Sequence, residues 1–503
     1  MRILSRLSFN RSWTTSMINV ISIISLLFSL FPFIESGTGS STEAVEQVEQ
    51  QESAQIVFYY PGLEQPDHQL VEEKVNEYVQ GKIDAELRLI PIDWGSWDTK
   101  VKILFAAGEP MDVLFTAGWS DFHTFANNGM LNDLSSLMNE YTPQLKHHMD
   151  PLYLEGTAIN GVNYAIPNQT STHTFSGILF NELLVDKYNF DIKGITKLAD
   201  LEPMLRTIQE KEKGIAPVFG KITDFEKLAM LERIGFGPGA LMPGNGTTIV
   251  NEYNTPEMMA NLKLFYNWSE KGYVHINKQK DMYSVLGNEK QTFAIVVGGR
   301  KADITESLNF NSGLSWVAVP LKEHYISSTD LSSSMLAVPT SSKHPDKAMQ
   351  FIELLHTDPE LLNLLNWGIE GYHWNESEIE SNRIELTEFS DGYDPGMSWM
   401  IGNPGLASLP TTGYYHTDYN KLQQTFEDAE RSALLGFQFD DSTAGATSIA
   451  KTYNPFIRQQ DQSPEDPVKA VPILVKAMEA GGLKDYITAK QQQIDAFLAE
   501  KSE

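Results

Sequence analysis

A chain of 503 residues is too long for one hydrophobic core, so it is expected to fold as two or three bodies. Its 38 basic and 66 acidic residues leave a formal charge of −28, which repels phosphate backbones and anionic lipid and makes nucleic acid a poor partner. At 41% hydrophobic and 21% charged residues the composition is that of an ordinary soluble fold, and the absence of cysteine removes disulfides, thiolate catalysis, Cys-ligated zinc and iron–sulfur clusters together.

In chain order, Arg2, Arg6 and Arg11 precede an apolar run from Ile18 to Ile34, the order of a signal peptide or an uncleaved anchor over residues 1–36. Residues 37–54 follow as a Gly/Ser/Thr-rich and then acidic, Gln-rich linker with little to bury. The chain is therefore expected to be exported, to the cell surface or beyond. Order begins with the strand QIVFYYPG, Gln55 to Gly62, and a helix follows in which Leu70, Val71, Val75, Tyr78 and Val79 share a face. A second strand runs to Ile92; Ser96 then caps a helix burying Trp97, Val101, Leu104 and Phe105, and Met111 to Ala117 forms a third strand. Strand and helix alternating at this spacing build right-handed βαβ units, whose ligands bind beyond the carboxyl ends of the strands. That directs attention to Tyr60, Trp94, Trp119 and Asp121.

Residues 55–166 read as lobe I, with a crossing at Pro167 and Asn168 into lobe II over residues 167–312. Lobe II carries a helix capped by Thr255 with Pro256 in its first turn, and the strand TFAIVVGG ending at Arg300. Two strands, Gly313 to Pro320 and Met335 to Thr340, with the helix after them, read as a return to lobe I over residues 313–400. Residues 401–503 form a C-terminal region, amphipathic and helical from Pro467 to Leu498, behind a loop-rich stretch dense in Trp, Tyr, Asn and Gly. The fold class is α/β. Trp97, Trp268 and Trp316 fall on helix or strand faces and are expected in the core.

Several segments together resemble the bacterial extracellular solute-binding proteins of family 1, in the branch with a C-terminal DUF3502 domain. They are Pro91 to Trp119 (PIDWGSWDTKVKILFAAGEPMDVLFTAGW), Asn160 to Gln169 (NGVNYAIPNQ), His344 to Gly371, and Leu434 to Asp440 (LLGFQFD) with the terminal helices. The resemblance implies a two-lobed, type II periplasmic-binding-protein-like clamp with a C-terminal helical extension. It also implies a monomer that feeds a small polar solute, usually an oligosaccharide, to an ABC permease without catalysis. Family members commonly carry a lipid-anchoring cysteine after the signal peptide; this chain has ESGTGSS there.

Sugar rings offer C–H faces to aromatic planes and hydroxyls to carboxylate, amide and guanidinium groups. The residues expected in the cleft are Tyr60, Trp94, Trp119 and Asp121 from lobe I, Asn168 at the crossing, Arg300 from lobe II, and Glu370, Tyr372, Trp399 and Asn403 from the loop-rich stretch. No cofactor or metal is expected. The GFGPGA run at Gly235 contains Pro238 and opens no helix, so it reads as a loop rather than a dinucleotide site. The segment from Asp440 lacks the oxygen ligands of a calcium loop at Ala444 and Lys451, and the adjacent His147 and His148 face apart. Two rival readings remain at this stage. A secreted carbohydrate-active enzyme would need two opposed carboxylates across a glycosidic bond, and a sensor subunit would share the fold and differ in partner.

Overall fold

The computed structural model describes residues 53–170, 173–274, 292–411, 419–440 and 445–501; the expected signal peptide or anchor and nearly all of the linker lie outside these. The strands of its two main sheets are, in chain order, β1 (Ala54–Pro61), β2 (Ala85–Ile92), β3 (Val113–Thr116), β4 (Ala165–Pro167), β5 (Thr174–Asn181), β6 (Ala216–Phe219), β7 (Thr292–Lys301), β8 (Trp316–Pro320), β9 (Tyr325–Ile326), β10 (Met335–Ala337) and β11 (Glu430–Arg431).

The first sheet has the order β2-β1-β3-β10-β4. β1 is parallel to β2 and to β3, and β10 is antiparallel to β3 and β4. Ile56 and Phe58 of β1 are buried under Val71, Val75 and Val79 of helix His68–Ile83, the face anticipated from helical spacing. Asp84 follows in the left-handed conformation, φ 50°, and its N–H returns to the Gln80 carbonyl to end the helix.

The second sheet has the order β11-β9-β5-β7-β6, with β8 also on β5. β6 and β7 are parallel to each other, whereas β5 is antiparallel to β7, β8 and β9. β5 carries the chain out from the crossing and β8 and β9 bring it back, which is why they oppose. The expectation that Gly313 begins the return is corrected by this pairing. β8 runs beside β5 from Trp316 opposite Asn181 to Pro320 opposite Gly177, and Trp316 packs with Phe175, Leu179, Ile295 and Val297. The chain rejoins the first sheet only at β10.

The C-terminal helices Ala446–Gln462, Pro467–Ala480 and Leu483–Lys501 bury Ile449, Tyr453, Val471, Leu474 and Tyr486 in the same core as Val218, Phe225 and Trp268. The GFGPGA run is a loop held by them: Tyr486 Oη and Lys490 Nζ donate to the Phe236 carbonyl at 2.5 and 2.9 Å. Trp97, Trp268 and Trp316 are all buried. No helix among the described residues is long and apolar enough to cross a membrane.

Candidate functional site

Where β2 and β3 end, the chain turns two tryptophans outward. Asp93 accepts from Gly95 N at 3.0 Å and so caps the turn that projects Trp94. Gly118 N donates to the Ser332 carbonyl at 2.7 Å, and a Cβ at this glycine would lie 2.4 Å from Ser332 Oγ, so only glycine permits the approach. Trp119 follows, and its indole N–H donates to the Ser333 carbonyl at 2.8 Å.

A third tryptophan comes from far along the chain. Trp94 and Trp399 stack with centroids 5.9 Å apart and planes at 12°, and Trp94 and Trp119 at 6.2 Å and 28°. Phe115 touches all three from the core side at 5.6 to 6.4 Å. Trp94 is 45% and Trp119 55% exposed, a large cost in apolar surface left to water. Lys301 at the end of β7 reaches over from the second sheet, with Nζ 5.9 Å from the Trp399 ring centroid and 3.3 Å from Thr170 Oγ1.

The adjoining surface of the second sheet is charged. Register slips in β7 between Val297 and Arg300, and a Cβ on Gly298 would lie 2.5 Å from the Asp224 carbonyl oxygen, so the strand bends onto helix Ile222–Lys227. Arg300 pairs with Asp224 at 3.3 Å, while its Nε is buried with no hydrogen-bond partner among the described residues. Beyond it a cavity of about 350 Å³ is lined by Lys227, Glu232, Lys322, Tyr325 and Asp330. Burial pushes the Glu232 carboxyl up to about 7, against hydrogen bonds from Ser432 Oγ at 2.5 Å and Tyr325 Oη at 3.1 Å. Burial likewise raises Asp330 to about 6, although Ser327 N and Oγ donate to it at 2.9 and 2.6 Å and Lys227 and Lys301 face it. Lys322 is pushed down to about 8 by burial, and Lys227 and Lys301 are lowered for the same reason. Lys227 and Lys301 nevertheless remain open to solvent, as side chains in a crowded cleft do.

Trp94, Trp119 and Trp399 are thus brought together, and Arg300 lies one residue before the Lys301 that reaches over Trp399. Other expected site residues lie elsewhere. Tyr60 is 1% exposed and packs on Phe58 at 5.3 Å; it is a core residue, because it shares the buried face of β1 with Ile56 and Phe58. Asn168 is fully buried and its amide is spent internally, donating to Ser334 Oγ at 2.9 Å and the Met400 carbonyl at 2.6 Å and accepting from Gly402 N at 2.8 Å. Ser334 Oγ in turn donates to the Trp399 carbonyl at 2.8 Å, so Asn168 fixes the loop that presents Trp399. Asp121 pairs with Lys102 at 2.8 Å beside the platform. Tyr372 stacks on Phe389 at 4.9 Å, and Glu370 is exposed next to it. Asn403 caps the turn Pro404–Leu406 and borders a small cavity of about 180 Å³ with Gln169 and His173 at the crossing. Sequence reasoning missed Lys301, Lys227, Glu232 and Asp330. Only Lys301 left a signal, as the neighbour of Arg300 at a strand end.

The clusters of acidic and histidine side chains among the described residues include none able to hold a metal ion. Residues 60–360 match the model of a family described as bacterial extracellular solute-binding protein. A carbohydrate ABC transporter substrate-binding protein of Streptococcus pneumoniae serotype 4 is 26% identical over 434 residues, 85% of this chain and 87% of that one. The crystal structure of the N-glycan transport solute binding protein from Streptococcus pneumoniae superposes with a TM-score of 0.77 at 26% identity, covering 89% of this chain and 100% of that one. The same protein in complex with Man5GlcNAc gives 0.65 at 25% identity, covering 89% and 99%.

Proposed function

Because the chain belongs to the bacterial extracellular solute-binding protein family, we propose that it binds an oligosaccharide for a carbohydrate ABC importer, holding the sugar between the tryptophan platform and the charged wall until a permease takes it. The observation that carries this reading is the platform itself: three near-parallel indoles, two of them half-exposed, with a lysine reaching over one from the opposite sheet. Apolar sugar faces stack on such a surface, and hydroxyls find the carboxylates and ammonium groups of the charged wall. Contacts made to both walls at once exist only when the cleft is closed, so ligand shifts the hinge; moving it from mostly open to mostly closed takes about 5 kcal/mol of differential affinity. No bond is made or broken.

The similarity to an N-glycan transport protein and to a carbohydrate transporter subunit supports the substrate class. We also assign the C-terminal helices to a DUF3502-like domain and lobe I to the platform. The ligand contacts fall to Trp94, Trp119, Trp399, Arg300 and Lys301, with Asp121 at the margin. Export rests on the N-terminal apolar run, and the chain works as a monomer. Intrinsic tryptophan fluorescence and melting temperature, titrated with mannose-containing oligosaccharides, test this. A saturable shift, a raised melting temperature and recovery of intact sugar are expected, since a ligand that binds only the folded state stabilises it. Cleaved sugar, or no response to any oligosaccharide, refutes it.

A further inference from the structure

A second cavity lies behind the short helix Ser328–Leu331. Ser327, Thr329 and Asp330 border the charged cavity, whereas the Ser328 hydroxyl turns the other way and accepts from Gly436 N at 2.8 Å. Gly436 itself borders a cavity of about 500 Å³. One wall is His123 and Asn127 of helix Phe122–Asn127 with Asn160, whose neighbours Phe122, Ala126 and Ile159 are buried in the core of the first sheet; the other is Gln438, Gln493 and Phe497, on and beside the last helix. The volume falls within the roughly 300–1,000 Å³ of small-molecule sites.

The lining has a definite chemistry. Four amide side chains and the carboxylates of Asp440 and Glu500 border it, the paired rings of Phe437 and Phe497 lie 5.6 Å apart, and no lysine or arginine is present to receive an anion. We propose that this cavity is a second solute site, for a neutral, hydroxyl-bearing molecule the size of a mono- or disaccharide. Hydroxyl groups accept from Asn127 and donate to the carboxylates of Asp440 and Glu500, and an apolar sugar face lies against Phe497. Because its walls belong to parts joined through the crossing segments, an occupant restrains their relative movement and so biases closure of the front cleft. The site is independent of the front-cleft reading.

Calorimetric titration of the whole chain with N-acetylglucosamine, alongside Trp119→Ala and Ala496→Trp, tests it. Ala496 borders the cavity from the exposed side of the last helix, so a tryptophan there fills the space without entering a core. Binding is expected to survive Trp119→Ala and to weaken at least tenfold in Ala496→Trp; Asn127→Leu, with its melting curve as a folding control, should lose it likewise. Binding that both cavity variants retain overturns the proposal, as does its complete loss in Trp119→Ala or its absence in the wild type. If the cavity variants lose N-acetylglucosamine while no oligosaccharide responds to Trp119→Ala, the cavity stands and the front-cleft reading fails.

Discussion

The two walls of the front cleft are built on opposite principles. The wall on the first sheet is apolar, and its order comes from contacts spaced far apart in sequence, with Trp94, Trp119 and Trp399 on one Phe115 floor. The wall on the second sheet is titratable, with Glu232, Asp330 and Lys322 all moved by burial toward neutral pH. The contrast teaches a division of labour for the proposed site: its aromatic part is indifferent to pH, and its charged part is not.

The largest expected effect lies in what holds the aromatic wall in place. Asn168→Ala leaves Ser334, the Met400 carbonyl and Gly402 N without their buried partner, and at about 1–3 kcal/mol for each orphaned group it should cost about 3–5 kcal/mol of stability, read from denaturant unfolding. Unchanged stability would mean that the Trp399 loop is held by other contacts.

Next comes the charged wall. Glu232 has its folded pKa raised from 4.5 to about 7, so its contribution to stability is full below 4.5 and is lost as pH rises through 7, at most about 3 kcal/mol over that window. Buried His356 and His173, lowered to about 3 and 4, work the other way, because below pH 6.5 the unfolded chain takes up protons that these folded rings refuse. The measurement is therefore the difference between wild type and Glu232→Gln. Relative to wild type, the variant should gain stability between pH 5 and pH 8, and parallel curves would remove Glu232 from the titrating wall.

Trp119→Ala should weaken oligosaccharide binding by about 10- to 100-fold, or about 1.4–2.8 kcal/mol, with a melting temperature close to wild type because the ring is half-exposed. The smallest effect is expected at Asp121. Its pair with an exposed Lys102 is worth about 0–1 kcal/mol, so Asp121→Asn should leave both stability and affinity nearly unchanged. A large loss of affinity there would extend the binding surface past the platform.

Trp94 and Trp119 were legible in the sequence because each follows a short apolar strand of a βαβ unit, where ligand sites gather. Tyr60 obeys the same rule and is buried, because it falls on the inward face of β1 with Ile56 and Phe58, and the adjacent tyrosines Tyr59 and Tyr60 look alike in sequence. Asn168 reads as a polar residue at a crossing, and its partners, 166 and 232 positions away, carry no local pattern. The charged wall is drawn from the segments holding Lys227, Glu232, Lys301, Lys322 and Asp330, joined through an antiparallel β5 that strand-and-helix spacing reads as parallel. Periodicity reaches across one turn or one strand, and this wall is assembled over about a hundred residues.

The most direct test of the central claim is a calorimetric titration of the wild-type chain and Trp119→Ala with a mannose-rich oligosaccharide, with the sugar analysed afterwards. The account predicts saturable binding by the wild type, sharply weakened in the variant, and intact sugar at the end. No heat of binding in the wild type, equal affinity in the two proteins, or a shortened sugar would contradict it.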